Sequence, residues 1–236
     1  MLRTTSMKIA SRLSAAFFAA CLLTTPAWSS DDDFESDPEW SDDDWFGIEE
    51  VNEGELEFLA EPPAELVHHH ENVMTLGPTS LEDGWVRLDQ CHRNIDKVGR
   101  AQIIFRAERI RNLRITESTN IGSVWVEDAS VQLSDIGEDS MLCLSAESFA
   151  LSANGDGSYE IDNGPFMRRF LDGYYPMRVS QKIMLADSGL EFFGIHPEIQ
   201  PGFDVRVTNV SIDFDAWFEG RLLTEVKLVP ENWSAR

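Results

Sequence analysis

The chain has 236 residues, 42 of them Asp or Glu and 19 Lys or Arg, so its formal charge is -23 and its pI about 4.4. That lack of positive charge excludes nonspecific binding to nucleic-acid phosphate. Hydrophobic residues make up 42% of the sequence, enough to build a core.

The first 29 residues read as a signal peptide. Arg3, Lys8 and Arg12 form a basic start, Leu13 to Leu23 is uncharged and apolar or small, and Ala27-Trp28-Ser29 offers small residues for cleavage after Ser29. The apolar run falls short of the roughly 20 residues of a spanning helix, and no later stretch approaches that length, so no transmembrane segment is expected in the mature protein. Phe18-Ala19-Ala20-Cys21 loosely fits a lipoprotein box, which leaves lipid anchoring through Cys21 as an alternative, with retention of the segment as an anchor as another. The basic start and small cleavage residues look bacterial, and the expected location is periplasmic or secreted. Cleavage leaves 16 basic residues against 42 acidic ones.

Residues 30–63 read as a disordered acidic arm. Residues 31–65 hold 16 carboxylates and no Lys or Arg, a density that opposes compaction. Phe34, Trp40, Trp45, Phe46 and Phe58 punctuate it. Plain solubilising linker, partner-binding arm and weak calcium site are the readings, the last lacking the Gly and terminal Glu of a regular calcium loop. Pro62-Pro63 marks its end.

Residues 64–236 read as a single β domain. Short β-prone runs recur between turn signals such as Gly77-Pro78, Asn154-Gly155-Asp156-Gly157, Asn163-Gly164-Pro165 and Pro201-Gly202. Ile212, Phe214 and Ala216 alternate with Asp213, Asp215 and Trp217, the two-residue period of a sheet with one dry face. Only Phe166 to Leu171 suggests a turn or two of helix. The expected fold is all-β, a two-sheet antiparallel sandwich of immunoglobulin-like or jelly-roll-like form. Trp85 and Trp125 read as core or near-core residues. Cys91 and Cys143 are the pair left after cleavage, and in an oxidising compartment they read as a disulfide ahead of a redox or metal pair.

Three places could carry chemistry. His68 and His70 share a face if their segment is a strand, and with His92, Glu71 or His196 as a third ligand they would bind zinc or copper; plain polar surface is the alternative, and no cofactor is otherwise expected. A Cys91 nucleophile beside His92 would require a free thiolate. Residues 164–178 concentrate Phe166, Arg168, Arg169, Phe170, Tyr174, Tyr175 and Arg178, residue types suited to a contact surface. The same loop reads alternatively as a structured crossover with Arg168 paired to Asp172, or as an acid-base site on Asp172 and Tyr174. Residues 87–114 carry eight basic residues against three acidic, including Arg106, Arg109, Arg111 and Arg114. This basic band reads as a solvated face or as a cradle for the acidic arm.

The leading function is a non-enzymatic binding or envelope-assembly module meeting an envelope or extracellular protein, or a cell-wall or glycan ligand. Copper or zinc binding and a sandwich-fold hydrolase are the alternatives. Among enzyme motifs, Gly-x-Ser-x-Gly, His-Glu-x-x-His and a phosphate-cradling glycine loop are all missing.

Overall fold

The computed structural model describes residues 54–185 and 188–234, all within the unit Gly47–Arg236. The expected signal peptide, Cys21 and residues 30–53 of the arm lie outside these residues. The described chain is almost wholly β, as its two-residue periodicity predicts. In chain order the strands are β1 (Glu57–Phe58), β2 (His69–Leu76), β3 (Trp85–Arg93), β4 (Arg100–Ile104), β5 (Ile110–Glu127), β6 (Ser130–Phe149), β7 (Leu151–Ala153) and β8 (Tyr159–Phe166). They continue with β9 (Arg168–Phe170), β10 (Gly173–Tyr175), β11 (Met177–Met184), β12 (Leu190–His196), β13 (Phe203–Val207), β14 (Ser211–Glu219) and β15 (Leu222–Pro230). A helix of one turn, α1 (Ser80–Asp83), and a 3-10 turn (Ala107–Arg109) complete the elements. The helix expected at Phe166–Leu171 is instead the end of β8 and the strand β9.

Nine strands form the larger sheet. Its path runs β14, β11, β2, β3 and β6, with β1 and β13 sharing the outer edge of β14. β6 is flanked on one side by β3 and β4 and on the other by β5. The expected all-antiparallel pairing is corrected at one place: β2 and β11 are parallel, while the remaining pairs of this sheet are antiparallel. Four strands, β12-β15-β8-β7, make a second sheet, and β9 with β10 make a separate hairpin. Met74, Leu76, Val86 and Leu88 of the large sheet share one buried cluster with Ile161, Leu190, Val226 and Leu228 of the small one.

The inward face follows parity. On β14, Ile212, Phe214, Ala216 and Phe218 are buried while Asp213, Asp215 and Trp217 are not. β5 is a long outer strand, and three register shifts break its ladder to β6. Asn112 and Asn120 take positive φ there, a conformation Asn tolerates better than most residues. Such bulges blunt an edge that would otherwise template further strands.

Two further sequence readings need correction. The arm does not remain separate up to residue 63: Glu57 and Phe58 pair with Glu219 and Phe218 of β14, and Phe58 stacks on Phe203 at 5.0 Å. Leu56 and Phe58 pack against a second buried cluster formed by residues such as Met177, Phe203, Phe214 and Leu222. Two glycines admit this segment. A Cβ at Gly220 would lie 1.9 Å from the Glu55 carbonyl oxygen, and one at Gly202 2.6 Å from that of Leu59. Leu56 and Phe58 are thereby partly buried although their neighbours Glu55 and Glu57 stay exposed. Trp125 is the second correction: it is 47% exposed, on the solvent side of the β5–β6 hairpin, because the core positions there are taken by Val124 and Val131.

Cys91 and Cys143 are bonded, with Cα atoms 4.1 Å apart. They stand opposite one another on β3 and β6, so the bridge joins neighbouring strands of one sheet.

Candidate functional site

His68 and His70 lie beside His92, and strand register explains how. His70 stands opposite His92 on the β2–β3 ladder, and the next inward rung pairs Asn72 with Gln90. β11 adds Gln181 beside Asn72. A polar seam therefore crosses the inner face of the large sheet at positions whose equivalents nearby are Met74, Leu88 and Ile183. It continues into the second sheet, where the Asn163 amide donates to Gln181 Oε1.

Within the seam, His68 Nε2 lies 3.0 Å from His92 Nδ1. The Gln90 amide sits between the other two rings, 2.8 Å from His92 Nε2 and 2.6 Å from His70 Nε2. His70 Nε2 also lies 3.0 Å from Asn72 Oδ1. A neutral imidazole has one N–H and one lone pair, so this chain of contacts propagates a tautomer choice. If His92 Nε2 accepts from Gln90, its Nδ1–H must donate to His68. If the Gln90 carbonyl oxygen faces the rings instead, His70 and His92 donate to it and His68 donates to His92. His70 also meets Phe166 edge-on at 4.9 Å.

The rings are held neutral. Burial drives His68 down to about 4, more strongly than the nearby Asp96 carboxylate raises it. Burial, with His68 beside it, takes His70 to about 3. His92 is likewise pushed well below its ordinary value by burial. Neutral imidazoles offer lone pairs to zinc or copper. Among the described residues, however, no three His, Cys, Asp or Glu side chains already converge as a metal site. The His92 ring presents one nitrogen to each neighbour rather than both neighbours to one point.

Two histidines stay outside this cluster. His196 is exposed on β12 of the small sheet, opposite Glu225, so the candidate third ligand is His92 and not His196. His69 points to the outer face and shares a hydrogen bond with Ser180 Oγ at 2.7 Å. There Arg178 donates to both oxygens of Asp215, at 3.0 and 2.7 Å, and covers Trp217. Burial would raise Asp215, but hydrogen bonds from Arg178 and Ser180 outweigh it and hold the carboxyl low.

The aromatic-arginine loop folds as the β9–β10 hairpin. Its base is Arg168, which donates to both oxygens of Asp96, the shortest contact being 2.6 Å. The expected Arg168–Asp172 pair does not form, since Asp172 accepts from the Tyr175 hydroxyl at 2.6 Å. The Arg168 guanidinium also lies 5.5 Å from the Phe170 ring and 5.6 Å from that of Tyr175. Arg169 covers Tyr174 at 5.4 Å. Phe166 leaves the proposed contact surface: it is 5% exposed, because inward parity on β8 seats it in the core. Arg178 leaves it too, occupied on the outer sheet face. At the tip, Leu171 is fully exposed and Phe170 partly so, while Met167, also partly exposed, precedes the base.

The basic band lies along β5 and its approach. Arg106 is exposed after β4. Arg109 is in the 3-10 turn, not a strand, and its Nε donates to the Phe149 carbonyl. Arg111 pairs with Glu147 and lies 4.1 Å from the Trp85 ring centroid, and Arg114 donates to Ser145. Cys91 is disulfide-bonded, which removes the nucleophile reading.

Asn72, Gln90 and Gln181 were not singled out by sequence. The signal available was parity: Asn72 and Gln90 share the inward set with Met74 and Leu88. No helix among the described residues is long and apolar enough to cross a membrane. In comparison with known proteins, no family model, curated protein or solved structure matches the chain.

Proposed function

We propose that this chain is a bacterial envelope-assembly or binding module, exported to the periplasm or beyond, that meets a protein partner through the β9–β10 hairpin. In this reading the large and small sheets are the two faces of a sandwich, and the fold serves as a rigid mount. The observation that carries it is the anchored hairpin: the Arg168–Asp96 pair holds the base while Phe170 and Leu171 remain exposed at the tip. A single exposed leucine is ordinary. Two adjacent apolar side chains at the end of a pinned support lose little further freedom on binding, which favours contact. A photo-crosslinking residue at Leu171, in cells, should give a discrete adduct that the same residue at exposed Leu223 does not. No adduct, or identical adducts from both positions, would remove the reading.

A second reading is favoured by one observation, the adjacency of three neutral imidazoles. Zinc or copper held by His68, His70 and His92 requires the rings to turn out of their hydrogen-bonded row. Equilibrium dialysis against each metal, followed by elemental analysis, should give one equivalent per chain and none for His92→Ala. Less than about a tenth of an equivalent in the unsubstituted protein eliminates this reading.

A further inference from the structure

Trp85, Trp125, Trp217 and Trp233 are the tryptophans among the described residues, and all but one are covered. Arg111 lies over Trp85, which also meets Phe149 edge-on, and Arg178 lies over Trp217. Trp233 meets Phe193 edge-on, lies under Lys227 and donates its indole N–H to the Asp156 carbonyl. Trp125 is 47% exposed, and among the described residues its ring has neither an aromatic nor a cationic neighbour.

Register fixes what borders this bare ring. Trp125 of β5 stands opposite Gln132 of β6, which stands opposite Gln102 of β4. The rung on one side that shares their face is Ser123, Ser134 and Arg100; on the other it is Glu127, Ser130 and Ile104. Val124, Val131 and Leu133 point the other way, into a hydrophobic cluster. The Gln132 amide donates to Ser130 Oγ at 2.9 Å, and Ser130 Oγ donates to the Glu127 carbonyl. Gln132 is thereby held through one N–H, and its remaining polar groups are uncommitted among the described residues. Arg100 and Glu127 cancel, so the face is neutral in a chain of formal charge -23.

Such a face selects by what it lacks. An anion is repelled by the chain as a whole, and a cation finds no excess of carboxylates here. A bare indole bordered by amides suits a neutral sugar ring. The C–H face of a hexopyranose packs on the indole, and its equatorial hydroxyls meet amides that both donate and accept. The three rungs run roughly 14 Å along the strands and about 10 Å across them, room for more than one ring. Equatorial linkages, as in cellulose and chitin, keep successive rings in an extended ribbon that follows rungs in regular register.

We propose that the outer face of β4, β6 and β5 binds a neutral, equatorially linked hexopyranose oligosaccharide, with one ring stacked on Trp125 and its hydroxyls held by Gln132 and Gln102. This site uses other strands than the β9–β10 hairpin and does not rest on the hairpin reading.

Nitrogen–proton NMR titration of the full chain with cellotetraose and with chitotetraose tests it, with tetragalacturonate as the anionic counterpart. At least one neutral tetrasaccharide should shift the Trp125 indole N–H and the amides of Gln102 and Gln132, with a Kd on the order of 1 mM or tighter. Trp125→Ala should weaken binding about ten-fold, the scale of a lost aromatic stack. Gln102→Ala/Gln132→Ala, which keeps the ring, should weaken it about five-fold or more, the scale of lost hydrogen bonds. Urea midpoints of both variants should match that of the unsubstituted chain. No shift with either neutral sugar, tighter binding of tetragalacturonate than of both, or binding that survives both sets of substitutions overturns the proposal. A failed crosslink from Leu171 would instead sink the hairpin reading and leave this site standing.

Discussion

His70 and His92 occupy inward positions in a face otherwise lined by side chains such as Met74, Leu88 and Leu142. Each must exchange the solvation of water for a partner in the seam, since an unpaired buried polar group costs about 1–3 kcal/mol. Gln90 and Asn72 supply those partners, and burial keeps the rings uncharged. The pH dependence follows from the folded pKa values of about 4 for His68 and 3 for His70, both below 6.5. As pH falls, the unfolded chain takes up protons first. The contribution to stability is therefore complete above about pH 6.5 and is lost progressively towards pH 4 and then 3. Linkage gives roughly 2 kcal/mol per histidine by pH 5. Urea midpoints at pH 7.5 and pH 5 should differ accordingly, and His70→Gln should reduce the difference by its own share of roughly 2 kcal/mol; an equal midpoint at both values contradicts it.

Among the elements, β1 and the β3–β6 bridge make the clearest claims. β1 contributes only two residues, yet Phe58 stacks on Phe203 and adds to a buried cluster. Phe58→Ala should cost about 2–3 kcal/mol, by the usual scale for a large aromatic that is partly buried. Denaturant unfolding measures the loss, and a change under 0.5 kcal/mol would mean that β1 is merely laid on the edge. The disulfide spans 52 residues. Loop-entropy arithmetic assigns roughly 4 kcal/mol to such a closure, with the mechanism model-dependent. Cys91→Ala/Cys143→Ala should lower the urea midpoint by a corresponding amount. Most strands were legible because alternation is written locally: β14 reads inward and outward without knowledge of its neighbours. β1 was not, because its two apolar residues lie in an acidic stretch whose charge dominates any local reading. The β9–β10 hairpin was missed for a related reason, its Phe166–Leu171 spacing also suiting a helical turn.

At the scale of the molecule, the excess of carboxylates makes self-repulsion a destabilising term. Screening should relieve it: the Debye length falls from about 30 Å at 0.01 M to about 8 Å at 0.15 M salt. The melting temperature should rise between those two concentrations, and a fall would show that ion pairs such as Arg168–Asp96 and Arg111–Glu147 outweigh the net charge. The same carboxylates were plain from composition, as was the bonded pair of cysteines. The histidine cluster was half legible: shared parity puts His68 and His70 on one face, but His92, His196 and Glu71 were all candidates for the third place, and Glu71 pairs instead with Arg93. Residue order alone establishes strand character, because a two-residue period is a property of each segment. It does not establish that Arg168 takes Asp96 across 72 residues instead of Asp172 nearby, or that His92 lies beside His70 while His196 is on another sheet. Those partnerships arise from strand pairing and register, which bring distant groups within a few ångströms and leave near neighbours facing opposite ways.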